Sequence, residues 1–176
     1  MLALNLSKIR TAEEHFEQVY QPGSVERTGD YQVIAPVTLA FDIHKNKREF
    51  RLVGRVQTVL ELHCSRCLEG FAWPVDASFD LRYHPHADNA GEGEREIAAD
   101  DLTTAFYDND EIDLGQLMQE QLYLSLPMKP LCAADCKGLC AVCGTNLNRE
   151  TCNCQREWED PRFAALKNLG ADKKEF

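Results

Sequence analysis

Six cysteines within 23 residues, spaced Cys132-x-x-x-Cys136-x-x-x-Cys140-x-x-Cys143-Gly144-x-x-x-x-x-x-x-Cys152-x-Cys154, constrain this chain more than any other feature. A segment of that length buries too little apolar surface to order itself, so its structure has to come from cross-links through sulfur. Zinc takes four soft ligands in a tetrahedron, and C-x-x-C followed by glycine aims two sulfurs at one ion while turning backbone N–H groups toward the thiolates. Cys140 and Cys143, flanked by Gly138 and Gly144, are the best pair. The other two ligands come from Cys132, Cys136, Cys152 and Cys154, and spacing does not choose between them. Six sulfurs exceed one tetrahedral site by two.

A second C-x-x-C, Cys64-Ser65-Arg66-Cys67, stands far upstream. It has three readings: completing the tail's coordination, holding half of another site, or acting as a free dithiol. The opening residues reach Ser7 and Lys8 before any apolar run is long enough for a signal peptide, and no stretch approaches the roughly 18 apolar residues of a membrane span. The chain is therefore expected to be cytoplasmic, and its eight cysteines to be reduced thiols rather than a disulfide framework. Buried free cysteine is often only a small hydrophobe, which suits one or two of these residues and not six so close together.

The rival chemistry is thiol-disulfide exchange at Cys64 and Cys67. A thioredoxin-like site expects its motif at a helix N-terminus after a strand, whereas Cys64 follows a strand into a turn. Metal catalysis needs an open coordination position, usually with histidine or carboxylate ligands. His15, His44, His63, His84 and His86 are scattered and none falls in the tail. No phosphate-cradling glycine loop, G-x-S-x-G elbow or H-E-x-x-H motif appears, so the chain reads as a non-enzyme.

From Tyr31 to Tyr83 the sequence is rich in β-branched and aromatic residues, with turn signals after Ile43 and around the Cys64 motif. Between Glu49 and Leu62 the residues Phe50, Leu52, Gly54, Val56, Thr58, Leu60 and Leu62 alternate with a partly basic set, which predicts a sheet with one wet face. Thr11-Ala12-Glu13-Glu14 has the form of a capping box, and Phe16, Val19 and Tyr20 follow near one helical face, predicting a short helix over 12–20. Residues 85–95 read as a loop, and a further strand is expected over 102–107. Asp113, with Gln116 three residues on, caps a second helix expected to run to Leu126-Pro127. Asp160-Pro161 opens a closing helix that Gly170 stops.

The formal charge of −10 is regional. Residues 86–125 hold eleven acids against Arg95 alone, so the remainder is neutral overall and free to carry basic patches. Lys45, Lys47, Arg48, Arg51 and Arg55 surround one strand turn, with Phe41 and Phe50 nearby. That ribbon suits an RNA backbone, where cations release counterions and aromatics stack. It equally suits a charged hairpin that blocks edge pairing.

Taken in order, Gly54-x-Val56 leading to Leu60-x-Leu62-x-Cys64-x-x-Cys67-Leu68-Glu69, then Glu111-Ile112-Asp113-Leu114, Leu126-Pro127, Gly138-Leu139-Cys140-x-x-Cys143-Gly144-x-Asn146-Leu147-Asn148 and Asp160-Pro161-Arg162-Phe163-Ala164-Ala165-Leu166 resemble the bacterial YceD family. This is a domain linked to accumulation of the large-subunit ribosomal RNA, and the matching pieces span most of the chain. The resemblance implies a non-catalytic role in synthesis, processing or stability of that RNA or its precursor, through direct contact or a ribosome-assembly protein. Some similar members lack most of the tail cysteines, which implies that metal stabilises the tail here rather than performing the shared function. The acidic segment and the Glu-Ile-Asp-Leu helix then lie nearer the common interface. Two other readings remain, a thiol-disulfide oxidoreductase and a zinc-ribbon protein adaptor.

The expected architecture is α+β. An antiparallel sheet packed by a few helices occupies residues 1–127, and a zinc-knuckle-like, cysteine-rich tail with a closing helix occupies 128–176. Structural zinc is the expected cofactor; no membrane contact and no small-molecule substrate are expected.

Overall fold

A computed structural model of the protein describes residues 2–25, 29–86 and 103–154. Contacts divide the chain into two units, Met1–Cys64 with Glu69–Cys132, and Ser65–Leu68 with Ala133–Phe176. The first unit carries the strands β1 (Ala3–Asn5), β2 (Glu13–Tyr20), β3 (Gln32–Val33), β4 (Val37–Asn46), β5 (Glu49–His63), β6 (Gly70–Pro85), β7 (Thr104–Tyr107) and β8 (Glu111–Asp113), and the helix α1 (Leu114–Leu124). The main sheet has the order β2-β4-β5-β6-β7, with β3 also on β5, and β1 pairs with β8 in a separate ribbon.

The alternation read along Glu49–Leu62 is what folds β5. Phe50, Leu52, Val56, Leu60 and Leu62 are buried, while Arg51, Arg55 and His63 are exposed. On the buried face Leu39, Phe41 and Ile43 of β4 meet them, and Leu114, Leu117, Met118 and Leu122 of α1 join the same core. Those α1 positions fall on one helical stripe, as their spacing predicts. Asp113 caps the helix as expected: its Oδ1 accepts from the N–H groups of Gly115 (2.8 Å) and Gln116 (3.1 Å). Among the described residues no helix is long and apolar enough to cross a membrane.

Gly54 allows β4 and β5 to press together. A Cβ there would stand 2.2 Å from the Ala40 carbonyl oxygen and 2.4 Å from Phe41 Cβ. Phe41 is fully buried at that point and stacks on Phe16 with ring centroids 4.9 Å apart.

The structure departs from the sequence reading at several elements. The helix expected over 12–20 is the strand β2, paired antiparallel to β4 from Glu13↔His44 to Tyr20↔Val37. Its residues obey a period of two, with Phe16 and Tyr20 turned inward and His15, Glu17 and Val19 outward. Pairing with the open edge of β4 outweighs a local cap signal, and the Thr11 hydroxyl instead donates to the Glu13 carbonyl (2.8 Å). The run from Val33 to Ile43 is split into β3 and β4 at Ala35-Pro36, because proline has no N–H for the ladder. The Thr58 hydroxyl donates to the freed Ala35 carbonyl (3.0 Å). Strand β4 extends to Asn46, so the turn is Lys47-Arg48, with Lys47 at φ 57°. The expected later strand is β7, which runs parallel to β6, so the sheet is not wholly antiparallel. The connection between them is long enough for a parallel return. Helix α1 stops at Leu124, two residues early. Most of the loop read over 85–95 and the closing helix after Asp160 lie outside the described residues.

Candidate metal centres

Cys140 to Asn146 form a tight knuckle. Leu139 and Asn146 make an isolated antiparallel bridge, Cys140 N–H donates to the Thr145 carbonyl (2.8 Å), and Gly144 N–H donates to the Cys140 carbonyl (2.9 Å). Gly144 sits at φ 76°, the left-handed region where glycine costs least, and this reverses the chain after Cys143. The reversal leaves Val142 N–H donating to Cys140 Sγ (3.4 Å) and Cys143 Sγ 3.2 Å from Thr145 Oγ1.

Gly138, also at φ 76°, lies against the Ser65–Leu68 segment of the same unit. The Arg66 carbonyl accepts from Leu139 N–H (3.1 Å), and a Cβ on Gly138 would crowd that oxygen at 3.0 Å. The Arg66 guanidinium donates to the carbonyls of Cys136 (2.8 Å) and Ala134 (3.3 Å).

The eight cysteines fall into two groups of four. Cys64, Cys67, Cys132 and Cys136 make one, Cys140, Cys143, Cys152 and Cys154 the other, and within each group the sulfurs lie within 4.8 Å of one another. Metal–sulfur bonds of about 2.3 Å in a tetrahedron would space the sulfurs by about 3.8 Å, so either set suits one ion. The surplus noted in the tail is accounted for, since two of its six cysteines group with Cys64 and Cys67. Four cysteine sulfurs are the donor set typical of a structural zinc site.

Local electrostatics favour thiolate at the knuckle. Backbone N–H groups of Cys143 and Val142 bring the Cys140 thiol down to about 6, and the Thr145 hydroxyl lowers Cys143. Cys154 goes the other way, pushed up to about 12 chiefly by its contact with Cys143. Four sulfurs this close cannot all ionise without a cation among them, and a bound metal would reverse that repulsion.

No metal-ligand spacing in the sequence singles out Asn148. Its Nδ2 donates to Cys136 Sγ (3.3 Å) and its Oδ1 accepts from Lys137 N–H (2.8 Å). Asn146 Oδ1 accepts from the Asn148 N–H and Nδ2, both at 3.0 Å. The sequence signal was the Asn-x-Asn pair two residues after C-x-x-C-Gly.

Among the described residues no histidine belongs to either cysteine group. His15 meets Asp42 at 2.7 Å, His44 meets Glu13 at 3.3 Å, and His86 packs edge-on against Phe106.

The basic hairpin is distributed otherwise than its sequence predicts. Lys45 is opposite Phe50 on the inner face; its ammonium donates to the Ile9 carbonyl (2.8 Å) and lies 5.6 Å from the Phe50 ring centroid. Arg51 is on the outer face, bound through two nitrogens to Asp80 at 2.8 and 2.6 Å. Those hydrogen bonds hold the Asp80 carboxyl below the usual range. Lys47, Arg48 and Arg55 are exposed, and the Arg48 carbonyl accepts from the Tyr107 hydroxyl (2.9 Å).

A family model described as "Large ribosomal RNA subunit accumulation protein YceD" matches residues 52–170. Among curated proteins, a "Large ribosomal RNA subunit accumulation protein YCED homolog 1, chloroplastic" of Arabidopsis thaliana is 30% identical over 161 residues, covering 80% of this chain and 50% of the relative. The protein of the same description from Zea mays is 28% identical over 156 residues, 76% of this chain and 53% of its own length. An uncharacterized protein of Mycobacterium tuberculosis is 35% identical over 119 residues, 67% of this chain and 54% of its own. The chain thus spans about half the length of the curated relatives it matches. No solved structure matches it.

Proposed function

From the premise that this chain belongs to the YceD family, we propose that it supports accumulation of large-subunit ribosomal RNA by binding, not catalysis, with its cysteines holding structural zinc. The observation that carries the proposal is the extent of the family match, which runs from β5 through α1 and the cysteine tail. The all-sulfur donor sets support zinc, which is redox-inert and content with four thiolates. Such sites need reduced cysteines, which supports action in a reducing compartment such as the cytoplasm.

Direct RNA contact, in this proposal, runs through Lys47, Arg48 and Arg55 at the tip and outer face of the β4–β5 hairpin. Lys45 and Arg51 are engaged inside the fold and with Asp80, and serve structure instead. The grouping of Cys64 and Cys67 with two more cysteines weighs against a free dithiol, and so against the oxidoreductase reading. A zinc-ribbon adaptor acting on an assembly protein is the remaining alternative, separable by what the protein crosslinks.

Removing the protein from cells is expected to lower the ratio of large- to small-subunit ribosomal RNA, and an unchanged ratio in a strain without a second family copy would refute the proposal. In-cell crosslinking should return large-subunit RNA or its precursor, with Arg48→Glu/Arg55→Glu reducing the yield. Recovery of assembly proteins alone would favour the adaptor.

A further inference from the structure

Cys140, Cys143, Cys152 and Cys154 are complete as a donor set without any other side chain. Between Cys143 and Cys152 the chain runs through Thr145, Asn146 and Asn148, so a metal on these four sulfurs closes residues 144–151 into a short loop. Thr145 is tied to that knuckle twice, through its carbonyl to Cys140 N–H and through its hydroxyl to Cys143 Sγ. Three residues on, Asn148 turns away and gives its amide to Cys136 Sγ, which belongs to the other group. Leu147 N–H donates to the Gly138 carbonyl (2.9 Å) and Arg149 N–H to the Asn146 carbonyl (3.1 Å), so little slack lies between the two anchor points.

We propose that Cys140, Cys143, Cys152 and Cys154 form a self-sufficient zinc site whose occupancy, through Asn148, strengthens metal binding at the group containing Cys136. The proposal rests on the reading that the cysteines hold zinc. A donor hydrogen bond to a ligating sulfur spreads part of its negative charge and fixes its direction, and losing such a neighbour typically lowers metal affinity about ten- to a hundredfold. The amide helps only where it is already held in position. Closing the 144–151 loop holds it there, because the loop's conformational freedom is then lost on binding the first ion and not charged again to the second. Reciprocity follows: an ion on the Cys136 group should tighten the knuckle by the same factor. Asn148 is on this account a positioning residue, touching a ligand and never the metal.

The test is zinc titration of the full chain against a chromophoric chelator, with stoichiometry read by native mass spectrometry. The wild-type protein should bind two ions. Cys152→Ser/Cys154→Ser should bind one, held roughly ten- to a hundredfold more weakly than the corresponding ion of the parent. Asn148→Ala should keep two ions with one weakened by a similar factor, and Asn148→Asp, which preserves the acceptor for Lys137 N–H, should do the same. Adding Asn148→Ala to the double cysteine variant should cost nothing further, since the amide is no longer positioned. Two ions on the cysteine variant, an unweakened remaining ion, or losses that multiply would each overturn the proposal. Absence of zinc from the wild-type protein would instead overturn the cofactor reading beneath it.

Discussion

Replacing Gly54 by alanine is a severe perturbation for a single methyl group. The new Cβ would lie 2.2 Å from the Ala40 carbonyl oxygen and 2.6 Å from Phe41 Cα, all backbone or backbone-bound atoms that no rotamer change can move aside. An ordinary contact needs roughly 1 Å more, so β4 must withdraw from β5 beside the Phe41↔Gly54 pair. Overpacking of this kind costs about 1–3 kcal/mol. Weakening two neighbouring ladder hydrogen bonds adds about 1 kcal/mol each. The alanine returns about 0.4–1 kcal/mol by restricting the unfolded chain. The net is roughly 2–4 kcal/mol, a large fraction of the 5–15 kcal/mol that holds a typical domain.

Urea unfolding followed by the fluorescence of Trp73, which sits in β6 opposite Leu60, should show the midpoint falling by about 1–2 M for a slope near 2 kcal/mol/M. Gly23→Ala is the control, since a Cβ there meets nothing within 4 Å. A Gly54→Ala midpoint indistinguishable from that of Gly23→Ala would refute the close-approach account of this strand pair.

Asp113→Ala removes an acceptor shared by two N–H groups at the start of α1, and should destabilise the protein by about 1 kcal/mol in the same assay. Arg51→Ala breaks an exposed pair and should lower the urea midpoint only slightly, an effect that vanishes in high salt. Tyr83 is raised from 10.0 to about 12, first by burial and then by Glu120 and Asp113, so its contribution is whole below pH 10 and is lost as pH rises toward 12. Across that window the loss should reach about 2–3 kcal/mol, and Tyr83→Phe should flatten that part of the alkaline stability profile.

The sheet and the capped helix were legible because each is written in a local period: β5 alternates by two and α1 repeats its apolar stripe from Leu114 to Leu122. Strand β2 was not legible, since Phe16, Val19 and Tyr20 satisfy a helical spacing as well as a strand's, and only the open edge of β4 decides. The cysteines could be counted but not partnered. Assigning Cys132 and Cys136 to Cys64 and Cys67 requires bringing together residues some 65 positions apart, which spacing cannot encode. The role of Asn148 was hidden for the same reason, because its significance lies in a sulfur twelve residues away. Lys45 and Arg51 looked like one basic surface in the sequence, yet the strand's pleat sends them to opposite faces.

The outward side of β2 has a consequence for the protein in concentrated solution. An unpaired strand edge is a template on which a second copy can zip up, and among the described residues β2 is such an edge in the order β2-β4-β5-β6-β7. It carries Glu13, Glu14 and Glu17, all exposed. Two such edges brought side by side would set carboxylate against carboxylate, so the strand repels its own likeness. Colloidal behaviour is thus written into the same eight residues that complete the sheet.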